Sequence, residues 1–164
     1  MPAEGRNSQI SYLLIVTIFA DSSALVKRYA DERGSAAIRA IDEPVVVSGL
    51  ARVEVPSALW RKARRRELTD EQAAVLVSLF EFDWFGDGVV GPSFTAVHVT
   101  PAILDEAAVH VARHDLRAAD AIQLASARTA RRAEPTADVF SAFDVRLRAA
   151  AAIEGFSLLP ATIG

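Results

Sequence analysis

The chain has 164 residues, of which 51% are apolar and 24% charged, a composition typical of one globular domain rather than of a disordered chain. It contains no cysteine, which excludes disulfides and cysteine-ligated zinc and favours a reducing cytoplasm as its location. Its net charge of −3 argues against binding nucleic acid by bulk charge, whereas a local basic patch beside an acidic site is compatible with RNA.

The N-terminal residues divide into a polar part and an apolar part. Residues 1–9 are predicted to form a flexible tail, and residues 10–164 a single domain. The apolar run Tyr12–Ala20 resembles the core of a signal peptide but is too short to span a membrane. Because this run is rich in β-branched residues and is followed by Asp21, we predict a buried first strand here and no membrane association.

Strands and helices alternate along the rest of the chain. The predicted strands are Ile15–Ala20, Pro44–Ser48, Phe94–Val99, Asp138–Phe143 and Phe156–Leu159. The predicted helices are Ser22–Ala30, Gly34–Ile41, Gly49–Arg66 with a kink at Pro56, Thr69–Phe82, Pro101–His114 with Thr100 as its cap, Leu116–Arg131 and Asp144–Ile153. A loop is predicted over Asp83–Ser93. This alternation predicts an α/β fold, in which a parallel sheet carries helices on both faces.

Two acidic residues directly follow predicted strands. Asp21 comes after the first strand and Asp144 after the fourth. In open α/β sheets, ligands bind beyond the carboxyl ends of the strands, so both residues are candidates for a functional site. Each is equally compatible with a simple role as the N-cap of the helix that follows it.

Two further acidic residues lie on apolar faces of predicted helices. Asp120 shares a face with Leu116 and Leu124, and Glu54 shares one with Leu50 and Ala58. A carboxylate among apolar neighbours requires a partner. That partner is either a metal ion or an arginine, for which Arg61 is a candidate in the case of Glu54 and a nearby arginine in the case of Asp120.

Taken together, these acids predict a metal site. Asp21 and Asp144 point to one edge of the sheet, and Glu54 lies near the start of a helix close to that edge. Converging carboxylates repel one another and resist ionisation, a conflict that Mg²⁺ or Mn²⁺ relieves because both ions prefer oxygen ligands. Two such ions about 3.5–4 Å apart are able to promote in-line attack of water on a phosphodiester.

Four segments resemble the sequence motifs of PIN-domain ribonucleases, in the order found in VapC-type toxins of type II toxin–antitoxin systems. They are Asp21–Tyr29, Ser48–Glu54, Leu116–Ala125 and Phe140–Leu147, and the resemblance covers about residues 12–160. One motif alone is a weak signal, whereas four in order are a strong one. The third segment, which contains Asp120, is the most specific of the four.

The resemblance implies a three-layer α/β/α PIN-like fold with strand order 3-2-1-4-5 and a metal-dependent endoribonuclease toxin. It also implies an RNA substrate, a cognate antitoxin and a homodimer. The metal-binding and catalytic residues implied are Asp21, Glu54, Asp120 and Asp144, supported by the hydroxyl of Ser23. Asp21 and Asp120 would be the main ligands of Mg²⁺ or Mn²⁺, and the other two acids would complete the shell or orient water.

The fourth motif departs from the family pattern. Family members often carry Ser or Thr two residues before the fourth acid, where this chain has Ala142, with Ser141 one residue earlier. This difference bears on the hydroxyl that supports Asp144 rather than on the metal site itself.

Three other features allow a structural or a functional interpretation. The basic run Arg61–Arg66 and the cluster of Arg128, Arg131 and Arg132 are expected to be solvated helix ends, with RNA or antitoxin contact as the alternative. His110 and His114 are four residues apart but are expected to lie at the surface or at a helix end rather than to bind metal. The apolar side chains at positions 76, 79, 80, 82, 84 and 85 are expected in the core, with an antitoxin-binding groove as the alternative.

Two functions compete with the ribonuclease. One is an aspartyl phosphotransferase on a similar sheet, in which Asp21 would be phosphorylated beside one of the two lysines of the chain, Lys27 or Lys62. The other is a non-catalytic PIN-like binding module, in which the acids serve only as helix caps and ion-pair partners.

Overall fold

Five parallel strands form one sheet in the computed structural model, which describes residues 16–163. They are β1 Ile18–Ala20, β2 Val45–Ser48, β3 Phe94–Val97, β4 Val139–Ser141 and β5 Ser157–Leu159. The sheet order is β3-β2-β1-β4-β5, with Phe19 of β1 paired to Val46 on one side and to Phe140 on the other. The predicted parallel sheet and its strand order are confirmed.

Seven helices connect and cover the strands within the described part of the chain. They are α1 Ser22–Tyr29, α2 Ser35–Arg39, α3 Ala51–Arg64, α4 Asp70–Phe85, α5 Pro101–His114, α6 Ala118–Ala133 and α7 Val145–Ile153. None of these helices, in residues 16–163, combines the length and apolar character needed to cross a membrane.

Two hydrophobic layers lie on opposite faces of the sheet because successive strand residues point to opposite sides. Phe19 belongs to a cluster with Leu124 of α6 and Leu147 of α7. Its neighbour Ala20 belongs to a second cluster, with Leu59 of α3 among its members. The molecule is therefore the predicted three-layer α/β/α sandwich.

Several element boundaries differ from the predictions. The predicted loop at Asp83 begins later, because α4 continues to Phe85 and ends where Gly86 adopts φ +68°. Pro56 lies inside α3 without ending it. β1 begins at Ile18, and the predicted tail over residues 1–9 lies outside the described residues.

Candidate active site

Asp21 combines two roles at the carboxyl end of β1. Its Oδ1 accepts hydrogen bonds from the Ala24 amide at 3.0 Å and the Ser23 hydroxyl at 2.8 Å, so it is the N-cap of α1. Its Oδ2 receives no hydrogen bond from residues 16–163. The side chain is only 4% exposed, and this burial, reinforced by the negative charge of Glu54, raises the pKa of Asp21 to about 7.

Asp144 repeats this arrangement at the end of β4. Its Oδ1 accepts hydrogen bonds from the amides of Arg146 and Leu147, both at 2.9 Å, and thereby caps α7. Both helix-cap interpretations are thus confirmed, but each cap occupies a single carboxylate oxygen. The two strand ends are joined by Ser23, whose hydroxyl donates to Asp21 and accepts the Phe143 amide at 3.0 Å.

Ser141 does not supply the hydroxyl that the family pattern places two residues before the fourth acid, Asp144. Ala142 is fully buried, and the Oγ of the adjacent buried Ser141 has no hydrogen-bond partner within the described residues. Support for the loop that carries Asp144 comes instead from Ser23, through the Phe143 amide.

Glu54 is held by two residues that the sequence did not single out. Its Oε2 accepts hydrogen bonds from the Ser22 hydroxyl at 2.6 Å and from Nε2 of Gln123 at 2.8 Å. Gln123 is 1% exposed and also donates to the Ser22 hydroxyl at 2.9 Å. The alternative of an ion pair between Glu54 and Arg61 is not realised among the described residues, because α1 and α6 rather than the end of α3 supply the partners.

Asp120 lies half-buried in the first turn of α6 and forms neither a hydrogen bond nor an ion pair with residues 16–163. Burial raises its pKa, and the negative charges of Asp144 and Glu54 raise it further, while Arg117 opposes the shift. Residues 16–163 therefore offer no arginine in direct contact that would explain this carboxylate. The two charged groups that raise its pKa, Asp144 and Glu54, are both predicted site residues.

All five predicted site residues line one cleft of about 460 Å³. They are Asp21, Ser23, Glu54, Asp120 and Asp144. The donors that they offer are carboxylate and hydroxyl oxygens, the ligand set that Mg²⁺ and Mn²⁺ prefer. The residues present therefore fit a hard divalent cation, although their individual roles remain predictions.

The same cleft is also lined by basic residues. Arg61 and Arg65, at the end of α3, line it and take part in no ion pair within the described part of the chain. Lys27 and Lys62 also line it, but both are ion-paired at 2.7 Å with Glu32, which lines the cleft as well. Sequence reasoning identified the run of cations but not that two of its members share a cleft with the predicted acids.

The second basic cluster is largely neutralised. Arg128 pairs with both Glu106 and Glu154, and Arg132 pairs with Glu106. Arg131 donates to the Glu154 carbonyl and stacks over the ring of Phe156. These contacts favour the structural interpretation of this cluster.

The predicted apolar cluster divides between core and surface. Phe80 is fully buried, and Leu76 and Trp84 pack against its cluster. Leu79, Phe82 and Phe85 are exposed, together with Val75. Positions 75, 79 and 82 have helical spacing, so α4 presents an apolar stripe to solvent.

The comparisons with known proteins agree with this geometry. No family model matches the chain. Two Mycobacterium tuberculosis proteins, Ribonuclease VapC45 and Ribonuclease VapC49, are each 33% identical over 150 residues, covering 89% of this chain and 96% of theirs. Among solved structures, Mycobacterium tuberculosis VapC20, a sarcin-ricin loop cleaving toxin, matches with a TM-score of 0.58, 18% identity and coverage of 85% and 95%. A toxin–antitoxin complex from Klebsiella pneumoniae matches with a TM-score of 0.50, 15% identity and coverage of 90% and 96%. The two structures share the fold, and the identity and coverage of the two sequence relatives show that this chain belongs to the VapC ribonuclease family.

Proposed function

We propose that the protein is a metal-dependent endoribonuclease toxin that hydrolyses RNA phosphodiester bonds and is inhibited by a cognate antitoxin. The observation that carries this proposal is the meeting of four carboxylates in one cleft, two of which have raised pKa values. Carboxylates in this state repel one another and become stable as anions when a cation binds between them. We place this activity in the cytoplasm, which suits a chain without cysteine.

The hydrogen bonds around the acids leave oxygens available for ligands. Oδ1 of Asp21, Oδ1 of Asp144 and Oε2 of Glu54 are each held by neighbouring residues, so the other oxygen of each group is left for a ligand. Asp120 has both oxygens available. This arrangement supports Asp21 and Asp120 as the main metal ligands, with Glu54 and Asp144 completing the shell or orienting water.

A bound Mg²⁺ or Mn²⁺ would supply a water of lowered pKa and would neutralise charge on the leaving oxygen. The residues of the chain hold the carboxylates in place around that position. Ser23 fixes Asp21 and the loop before Asp144, and Gln123 with Ser22 fixes Glu54. Hydrolysis by attack of water would leave a 5′-phosphate on the product.

The arginines that line the cleft support RNA as the substrate. Arg61 and Arg65 line the same cleft as the acids and have no ion-pair partners among the described residues, so their charge is available to phosphates. This local patch explains how a chain with a net charge of −3 would bind a polyanion. The RNA that VapC20 cleaves is a property of that protein, since 18% identity supports the fold alone.

An antitoxin partner is supported by family membership and by the apolar stripe of α4. An amphipathic helix of the antitoxin would bury Val75, Leu79 and Phe82, which are otherwise exposed to water. The homodimer that the family resemblance implies stays a prediction.

The structure disfavours an aspartyl phosphotransferase. That function requires a lysine free to contact the phosphoryl group, but both lysines of the chain are paired with Glu32. Lys62 is also paired with Glu67 at 3.0 Å, and Lys27 lies over the ring of Phe143.

The test is cleavage of a total-RNA pool by the purified protein with Mg²⁺ or Mn²⁺. We expect discrete fragments with 5′-phosphate ends, which disappear with EDTA and with Asp120→Asn. The amide of that variant has nearly the shape of the carboxylate but lacks its charge. Intact RNA with both the wild type and the variant, together with no metal binding by calorimetry, would favour the non-catalytic binding module instead.

A further inference from the structure

Two histidines and a glutamate meet at the end of α7 remote from the acidic cleft. His110 and His114 lie in the last turns of α5, and Glu154 is the C-cap of α7, whose N-cap is Asp144. One potential ligand atom from each of the three residues lies within 4.8 Å of the other two. The imidazole rings stack with their centroids 5.5 Å apart. None of these residues takes part in the proposed cleavage of RNA.

His110 is the unusual member of this cluster. Its side chain is 2% exposed, and neither ring nitrogen has a hydrogen-bond partner among the described residues. The prediction of a surface position is therefore wrong for this histidine, although it does lie near the end of α5. Because an unsatisfied buried polar group is costly, most such groups have a partner, and an ordered ion is one kind that would satisfy it.

The surroundings of His110 resemble those of a metal-binding histidine. Its Nδ1 faces Oε1 of Glu154 at 3.9 Å, and its Nε2 faces Oε1 of Glu106 at 3.6 Å. Metal-bound histidines commonly direct their second nitrogen to a carboxylate, which fixes the ring and increases its basicity. His114 directs its Nε2 to the same Glu154 oxygen, at 2.8 Å.

The charges around the cluster hold the carboxylates in position. Oε2 of Glu154 pairs with Arg128, and Oε1 faces the histidines, with the exposed Arg113 also approaching Oε1 at 3.4 Å. Glu106 is held by Arg128 at 2.6 Å and by Arg132.

We propose that His110 Nδ1, His114 Nε2 and Glu154 Oε1 form a binding site for a transition-metal ion of the Zn²⁺ class. Two histidines and a carboxylate are a known zinc ligand set, which leaves a fourth position for water. This nitrogen-containing set differs from the all-oxygen cleft and would select a different ion. At Zn–N distances of about 2.0–2.1 Å, tetrahedral ligands lie roughly 3.4 Å apart, so small side-chain rotations close the site.

A metal ion bound at this site would link helices α5 and α7 directly, and α6 through Arg128, at a distance from the acidic cleft. The ion would connect the end of α5 to the end of α7, while Arg128 of α6 holds the shared carboxylate. Its expected effect is therefore on the stability of this layer.

The test is calorimetric titration of the full chain with Zn²⁺ in saturating Mg²⁺, which occupies the acidic cleft. The informative variants are His110→Asn and His114→Gln, whose amide groups replace Nδ1 and Nε2 but are poor zinc ligands. We expect one Zn²⁺ per wild-type chain and affinity roughly 100-fold weaker in each variant, because loss of an outer partner alone costs about 10–100-fold. Asp120→Asn, which alters only the acidic cleft, should bind Zn²⁺ like the wild type. Absence of Zn²⁺ binding in the wild type, or unchanged affinity in both histidine variants, would overturn the proposal.

Thermal unfolding provides a second measurement. Zn²⁺ should raise the Tm of the wild type and of Asp120→Asn but not that of the histidine variants, since only a ligand bound to the folded state stabilises it. Circular dichroism identifies variants that fail to fold. If the histidine variants do not fold, Glu154→Gln, which keeps the side-chain shape, replaces them in both measurements. A wild-type Tm that does not respond to Zn²⁺ contradicts the site.

Discussion

At the scale of single residues, Asp21 and Asp144 show that one carboxylate caps a helix and also lines the cleft. Asp21 and Asp144 each use one oxygen to cap a helix, and these contacts fix the direction of the other oxygen. Capping is thus part of how the strand ends orient the site, not an alternative to it.

The raised pKa of Asp21 predicts how the stability of the metal-free protein depends on pH. The folded-state pKa of about 7 lies above the ordinary value of 3.8, so between these values the folded state keeps a proton that the unfolded state has lost. The free energy of unfolding should therefore fall as the pH rises from about 4 to 7, by on the order of 4 kcal/mol from this group.

Urea unfolding of the metal-free wild type and of Asp21→Asn across this range measures the effect. Asparagine also caps helices but does not titrate, so the difference in stability between the two proteins should change with pH. A difference that stays constant from pH 4 to 7 would show that Asp21 ionises normally.

Gln123 is predicted to act by positioning Glu54. Gln123→Met keeps the buried volume but removes both hydrogen bonds from Nε2, to Glu54 and to Ser22. We expect RNA cleavage to fall by about 10–100-fold, as for loss of an outer partner at a metal site, with Mn²⁺ affinity reduced as well. Cleavage rates and Mn²⁺ titration test this, with the Tm as the control for folding. If the variant cleaves RNA as fast as the wild type, Gln123 has no positioning role at the site.

At the scale of secondary structure, α3 contributes residues of both charges to the cleft. Its first turn carries Glu54, its last turn carries Arg61 and its C-cap is Arg65, and all three line the cleft. One helix thereby supplies an acidic group near its start and a basic pair at its end.

Arg61→Gln and Arg65→Gln should each weaken RNA binding. Each should also reduce the slope of log binding constant against log salt concentration by about one unit, because each arginine is expected to contact one phosphate. Arg64→Gln is the matched control, since Arg64 is exposed on the same helix but does not line the cleft. Fluorescence anisotropy of a labelled RNA, measured at several salt concentrations with Asp120→Asn as the background, gives both quantities. Equal losses in all three variants would indicate nonspecific attraction instead.

At the scale of the whole molecule, helix α7 joins two regions of different chemistry. Asp21 and Asp144, at the carboxyl ends of β1 and β4, bring carboxylate oxygens to the cleft, and α7 runs from this cleft, at Asp144, to the histidine cluster at Glu154. The two ends of this nine-residue helix therefore lie at two proposed sites whose ligand sets favour different metal ions.

The sequence by itself determined the α/β architecture and singled out four of the six acidic residues that line the cleft. Strand runs and helix periodicity are local, and residues at strand ends share one edge of a parallel sheet, so Asp21 and Asp144 were predictable from their positions. The strand order and the role of Ser23 came from resemblance to a family, because strand pairing joins distant segments.

Only the tertiary structure decided which charges are free and which histidine is buried. Gln123 contacts Glu54 across 69 residues, and Arg132 contacts Glu106 across 26. Such partners have no local signal, so the arginines that line the cleft and the arginines that glutamates neutralise look alike in sequence. His110 likewise becomes unusual only when α5, α6 and α7 pack around it, because burial and unmet hydrogen bonds are properties of the packed layers.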